Sequence, residues 1–242
     1  MSQRRDIGIV LRTYRLGEAD RIVVIMTREF GKIRCVAKGV RKVGSRFGAR
    51  LEPITYVDVS FWKGRSELSV VSQVEVLDRY STIREDYDRM TASMSMLEVV
   101  DQVAQDNHPD ERLLETLIRA LGVLNDPTKD PQLVAAAFFL RVLELDGARP
   151  EVELCVSCGE SEELVAFDFL EGGALCRSCR RGRPLSGEAL GLLRRILGGG
   201  LGGVLNAEVP DGAAEVRAIS VEAMEIHLDR RLRSVRSLGS GS

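Results

Sequence analysis

Four of the five cysteines fall within 25 residues, as two Cys-x-x-Cys pairs, Cys155-Val-Ser-Cys158 and Cys176-Arg-Ser-Cys179, with 17 residues between them. No other feature of the sequence constrains the fold as tightly. Two such knuckles bring four thiolates to the corners of one tetrahedron around a single Zn2+, with no position left open for water. In a chain read as cytoplasmic, this spacing points to metal ligation rather than to disulfides. A redox pair or an iron–sulfur site would use the same residues, but no thioredoxin-like strand–motif–helix context surrounds them. The expected zinc is structural: one ion that folds a module, 151–184, too small to fold alone. AFDFLEGGALC, between the pairs, reads as a short hairpin with Gly172 and Gly173 at its tip. Arg177, Arg180, Arg181 and Arg183 sit beside the second knuckle, where a zinc ribbon can touch nucleic acid, but seven acidic residues in the module favour the structural role. The fifth cysteine, Cys35, lies in a β-rich run and reads as a small buried apolar residue.

Charge is the second signal, once it is divided by position. The chain carries a net charge of −2. Residues 1–50 hold 13 Lys/Arg against 4 Asp/Glu, a net of +9, whereas residues 51–150 hold 10 against 18, a net of −8. Within the first module the run KIRCVAKGVRKVGSRFGAR, residues 32–50, has seven basic residues and no acid. Such asymmetry suggests a polyanion partner. Lys32, Arg34, Lys38, Arg41, Lys42, Arg46 and Arg50 are the candidate phosphate contacts, since cations that neutralise phosphates release counterions. Phe47, between Arg46 and Arg50, is either a base-stacking platform or a plug in a barrel mouth. Arg230, Arg231 and Arg233 form a possible secondary basic site near the C-terminus, although cations there also suit a helix macrodipole.

The order of elements predicts α+β architecture. Five β-rich runs occupy the first 80 residues: IGIVLRTY, RIVVIMT, KIRCVAKGV, ITYVDVSFW and LSVVSQVEV. Gly31 suits a tight turn before the third. Alternation puts Val57, Val59 and Phe61 on one face, with Tyr56 and Trp62 opposite, and sets Leu68, Val70, Val74 and Val76 against Ser69, Gln73 and Glu75. Closing five short strands into a barrel removes the edges, so an OB-fold is expected over 1–80, with an SH3-like barrel as the alternative. A helical domain follows: 81–150 as its first part, then the Cys module, then 185–242 as its second part with a flexible SLGSGS tail. In the first part TIREDYDRMTASMSMLEVVDQVAQD, ERLLETLIRALGVLN and PQLVAAAFFLRVLELDG read as three helices of one compact bundle, the third apolar nearly all round and so central. LSGEALGLLRRIL reads as a helix capped by Ser186. GGGLGGVLN reads as a break, and AAEVRAISVEAMEIHLDRRLRSVRSL as one long helix with a basic end.

Several functions find no support. No run of 18 apolar residues suggests a membrane span, and the N-terminus is not a secretory signal. No phosphate-binding Gly-x-x-x-x-Gly-Lys loop, HExxH or Ser/His/Asp pattern occurs. His108 and His227 have no ligand-spaced partner. The expectation is a non-enzymatic binding protein.

The stretch KGVRKVGSRFGARLEP, residues 38–53, and the opening DIGIVLRTYRLGEADRIVVIMTREFGKI resemble the RecO family of bacterial recombination mediators. The succession of barrel, helical domain, four-Cys module and HLDRRLRS is similar too, and the resemblance covers nearly the whole chain. One departure is Asp229, where a small residue such as Gly is expected. The resemblance implies an N-terminal OB-fold and binding to single- and double-stranded DNA. It implies annealing of complementary strands, contact with RecR and with the C-terminal tail of single-stranded-DNA-binding protein, and, through these, loading of RecA at gaps. It implies no nucleotide cofactor and a cytoplasmic, nucleoid-associated place in a bacterium. Two other readings stay open: a scaffold whose basic barrel grips an acidic protein tail, and an RNA-binding OB-fold protein, since backbone contacts barely separate the two nucleic acids.

Overall fold

The computed structural model describes residues 2–45, 47–64 and 68–236. Met1, Arg46, residues 65–67 and residues 237–242 lie outside them. The chain divides into two compact units, Met1–Asn125 and Asp126–Ser242.

The β-rich runs form the five expected strands: β1 (Ser2–Leu16), β2 (Asp20–Thr27), β3 (Gly31–Ala37), β4 (Tyr56–Lys63) and β5 (Ser69–Asp78). They close into a barrel in the order β1-β2-β3-β5-β4. Every pairing is antiparallel except β3 with β5, which meet parallel at Cys35–Ser69 and Val36–Val70. This is the Greek-key order of an OB-fold. Val10, Val23, Ile25, Ile33, Cys35, Val57, Val59 and Phe61 fill the interior. Cys35 is therefore the buried apolar residue its context suggests, and burial pushes its thiol up to about 12.

One face assignment needs correction. On β5 the inward residues are Val71 and Val74, not Val70 and Val74. Pairing with β4 skips Ser72, so two residues of β5 oppose one of β4. Such a bulge reverses the parity of a strand, which simple alternation does not foresee. A second irregularity falls at Leu11, between Val10 and Arg12.

The middle of β1 and the second half of β2 are buried on both faces. Ile9, Leu11, Val24 and Met26 lie outside the interior cluster yet are at most 2% exposed. Their cover comes from the helices that follow: α1 (Ser81–Glu85), α2 (Tyr87–Val103) and α3 (Glu111–Leu124), of which α2 and α3 pack on β1. The single helix expected over α1 and α2 is broken at Asp86, which is extended and caps Arg89 N–H. Asp110 caps α3 in the same way.

The link between α2 and α3 reaches back to β3. Asn107 N–H donates to Lys32 O at 2.8 Å, and Asp106 bridges Lys32 in parallel. Lys32 is only 7% exposed. Its ammonium donates to the Asp101 carbonyl at 2.6 Å and lies 3.3 Å from the Asp106 carboxylate. Arg12 Nε reaches Asp101 at 2.9 Å. Burial raises the pKa of Asp101, while Arg12 and Lys32 pull it back. The approach is close enough that a Cβ on Gly31 would lie 2.0 Å from His108 O. Gly31 also has φ +65°, the conformation expected of its turn.

In the second unit, α4 (Pro131–Leu145) is buried on most of its circumference and packs on α7 (Ala213–His227). It begins as expected, with Pro131 first and Asp130 capping Leu133 N–H. The three-helix bundle is not what forms: α1–α3 belong to the first unit, and α4 builds its core with later elements. These are the sheet β7-β6-β8, from β6 (Leu164–Asp168), β7 (Gly173–Cys176) and β8 (Arg183–Pro184), then α5 (Gly187–Leu197) and α6 (Leu201–Asn206). Ser186 caps α5. The Gly-rich stretch does end α5, but it re-forms as α6, whose Val204 is buried. His227 joins α7 to Asp146 at 2.6 Å.

The long C-terminal helix is corrected as well. α7 stops at His227, and a short α8 (Arg233–Arg236) follows. Asp229 has φ +49°, Arg230 N–H donates to Glu225 O and Asp229 N–H to Ile226 O. This pair of bonds is a Schellman stop, whose left-handed position favours glycine. That explains why a small residue is expected at 229; Asp tolerates the conformation better than most side chains. No helix among the described residues is long and apolar enough to cross a membrane.

Replacing Gly31 by Ala combines a left-handed Cβ with overpacking against backbone that cannot rotate away. The variant should lose about 2–5 kcal/mol, read as a lower urea midpoint. An unchanged midpoint would mean that the 105–108 segment is not seated on β3.

Candidate functional site

The basic run leaves the barrel after β3 and is pinned by its neighbours. Gly39 N–H donates to Asp20 Oδ1 at 2.7 Å, Arg41 N–H to Ala19 O at 3.0 Å, and the Arg41 guanidinium to Glu18 O at 2.8 Å. Two further turns, Lys42 N–H to Gly39 O and Ser45 N–H to Lys42 O, fold residues 39–45 onto the β1–β2 connection. Lys38, Arg41, Lys42 and Val43 are exposed on this ledge. The chain then dips inward: Phe47, just before a short 3-10 helix, Gly48–Leu51, and Leu51 at its end enter the barrel cluster, while Arg50 stays exposed.

Two of the eight residues expected to contact DNA are therefore reassigned. Phe47 is 2% exposed and packs inside, so it is the plug rather than the platform. Lys32 is enclosed by Asp101 and Asp106, so its ammonium has no room for a phosphate. Arg34 is exposed but paired with Asp106 at 2.9 Å. Lys38, Arg41, Lys42 and Arg50 are exposed, and Arg46 lies outside the described residues.

Sequence reasoning passed over Tyr14 and Arg12. Tyr14 is 42% exposed, and the Arg12 guanidinium lies 4.8 Å from its ring centroid. The available signal was an aromatic flanked by basic residues, RTYR, inside a strand. Beside the 3-10 helix, a shallow cavity of about 420 Å³ is lined by Arg5, Arg50, Asp58, Ser60, Gln73 and Glu75. Arg5 is committed to Asp58 by two bonds of 2.9 and 2.8 Å, and Glu75 adds a second acid, so the cavity is no phosphate cradle.

In the second unit the four cysteines converge. Their sulfurs all lie within 4.8 Å of one another, and Cys158 and Cys176 are 3.7 Å apart. Disulfide sulfurs would lie at about 2.05 Å. Thiolates sharing one tetrahedral ion at about 2.3 Å would be separated by about 3.8 Å, so the geometry fits a shared metal. Each knuckle is a tight turn: Gly159 N–H donates to Cys155 O, and Cys179 N–H to Cys176 O. Burial opposes ionisation of Cys155, but N–H groups of Cys176, Cys158 and Ser157 bring its pKa down to about 6. The Glu160 N–H favours a thiolate at Cys158, yet the sulfurs of Cys155, Cys179 and Cys176 push that thiol up to about 12. Four thiolates this close need a cation. The hairpin between the pairs is β6 and β7, and Asp168 closes its turn by accepting from Leu170 and Glu171 N–H.

Three of the four arginines beside the second knuckle are engaged locally, and Arg180 is exposed. Arg177 pairs with Glu163, Arg181 with Asp168 and Glu171, and Arg183 with Glu222. This pairing supports a structural centre. Arg230, Arg231 and Arg233 are exposed, with Arg231 held by Glu225 at 2.7 Å.

Residues 1–80 match the family described as recombination protein O N terminal, and residues 84–236 that described as recombination protein O C terminal. Similar curated proteins carry the name DNA repair protein RecO. That of Thermobifida fusca is 40% identical over 240 residues, covering 98% of each chain. That of Streptomyces coelicolor is 40% identical over 245 residues, again 98% of each, and that of Frankia casuarinae 39% over 237 residues, 96% of each.

Because the ligating sulfurs must be deprotonated, bound metal should be released as pH falls, with protons taken up. Cys158→Ser should lose the metal measured by elemental analysis and lower the melting temperature. Equal metal content in the variant and the parent would remove these cysteines as the ligands.

Proposed function

Since the chain belongs to the recombination protein O family, we propose that it serves DNA repair and recombination as a non-catalytic protein that binds DNA through its N-terminal barrel. The observation that supports this most directly is the pinned ledge: Lys38, Arg41 and Lys42 exposed side by side, with Arg50 beyond, in a chain of net charge −2. Cations fixed before binding lose little freedom when they meet phosphates. On this reading the barrel takes single and double strands and brings complementary strands together. RecR and the C-terminal tail of single-stranded-DNA-binding protein are its partners, and RecA loading is the outcome; family resemblance supports these finer steps. The ion at the four cysteines is zinc, because a closed all-thiolate tetrahedron suits Zn2+. An iron–sulfur cluster, the other occupant of four cysteines, would show itself by colour and iron content.

The test is binding to a labelled single strand over a salt series, followed by addition of the complement. The slope of log affinity against log salt should be roughly −3 to −5, with annealing accelerated. Lys38→Ala with Lys42→Ala and Arg50→Ala should weaken binding to all sequences and flatten the slope by about 2. An unchanged slope would remove the ledge as the contact. Tight binding of an acidic peptide with none of either nucleic acid would replace this reading with that of a protein scaffold.

A further inference from the structure

Arg12, Tyr14, Ile22, Val24, Arg34 and Val36 alternate with interior residues along three adjacent strands. Val23, Ile25, Ile33, Cys35 and Ala37 face inward, so Ile22, Val24, Arg34 and Val36 face outward. The register aligns Tyr14 with Ile22 and Ile22 with Val36, and in the next row Arg12 with Val24 and Val24 with Arg34. One row is thus an aromatic followed by two β-branched residues, and the other is two arginines around a valine that is fully buried. Farther along the same face, Lys32 is closed off by the 105–108 segment. The outer face is covered at that end and open around Tyr14.

We propose that this open patch is a stacking site for an unpaired base of single-stranded DNA, with Tyr14 as the platform and Lys38 as its phosphate partner. The inference rests on the DNA-binding reading and deepens it. Three observations carry it. Tyr14 keeps 42% of its surface exposed although Ile22 and Val36 beside it are largely covered. Arg12 already stacks at the ring and is held there by Asp101 at 2.9 Å, so the platform is ordered before a strand arrives. Exposed Lys38 follows β3 directly and leads into the ledge, which gives the strand a cationic path from the patch. Strand-tracking proteins combine such a path with aromatic faces. A base inside a duplex has both faces covered by its neighbours, so the patch selects single strands, whereas the ledge alone does not.

The experiment uses the full chain and an oligothymidylate carrying one 2-aminopurine, whose emission reports stacking. Tyr14→Leu keeps apolar bulk but removes the ring, and Tyr14→Phe keeps the ring. Tyr14→Leu should lose single-strand affinity by about tenfold, lose the emission change, and keep the salt slope and duplex affinity of the parent. Tyr14→Phe should bind like the parent. If Tyr14→Leu binds the single strand with unchanged affinity and emission while the parent shows its steep salt slope, the stacking site falls and the DNA-binding reading stands. If single-strand and duplex binding fall together in Tyr14→Leu, or if Tyr14→Phe fails equally, the residue is merely structural and the proposal falls. If the parent binds no single strand at low salt, both fall.

Discussion

A lysine ammonium buried on the outside of a β-barrel demands negative charge around it. Lys32 makes that demand on β3, and Asp101 and Asp106 answer it from the end of α2 and the link beyond. Removing one partner from such a group leaves a buried charge uncompensated, which costs far more than the pair contributes. The interaction fixes where the helices lie on the barrel. The same two carboxylates also hold Arg12 and Arg34. Two acids thus order three cations, of which one is withdrawn from the surface and two frame the outer sheet face.

Charge in the first unit is sorted by this arrangement. Cations near the helices are neutralised by acids from the helical segment, and those on the ledge point outward. The basic run is accordingly two structures in series: a strand whose cations are tied into the fold, and a turn whose cations are presented. The four-cysteine centre of the second unit follows a parallel logic, with four sulfurs gathered by two turns and Arg177, Arg181 and Arg183 paired to acids.

What the sequence disclosed and what it hid divide along sequence separation. The cysteine centre was legible because ligands with two residues between them on tight turns carry their own geometry. The strands were legible because alternation is local. The burial of Lys32 was not, because its carbonyl partner lies 69 residues away. Phe47 was an even choice because a basic loop and a barrel plug share one composition. The bulge at Ser72 was hidden because it lies in how β5 pairs with β4, not in β5 alone. The helical bundle failed because α4 looks the same whether its neighbours precede or follow it. Asp229 shows the converse: one unexpected residue marked a left-handed backbone position.

The contact between Gly31 and the backbone at His108 bears on the order in which the chain is made. Synthesis delivers the N-terminus first. The last barrel strand is complete at Asp78, but the residues that seat on β3 and cover β1 and β2 come afterwards. Until α3 has emerged, Ile9, Leu11, Val24 and Met26 form an apolar surface without its cover. The boundary that separates the two family matches, near residue 80, is therefore not a point at which the nascent barrel is self-sufficient. Between the fifth strand and the third helix, translation leaves these four apolar residues without that part of their cover.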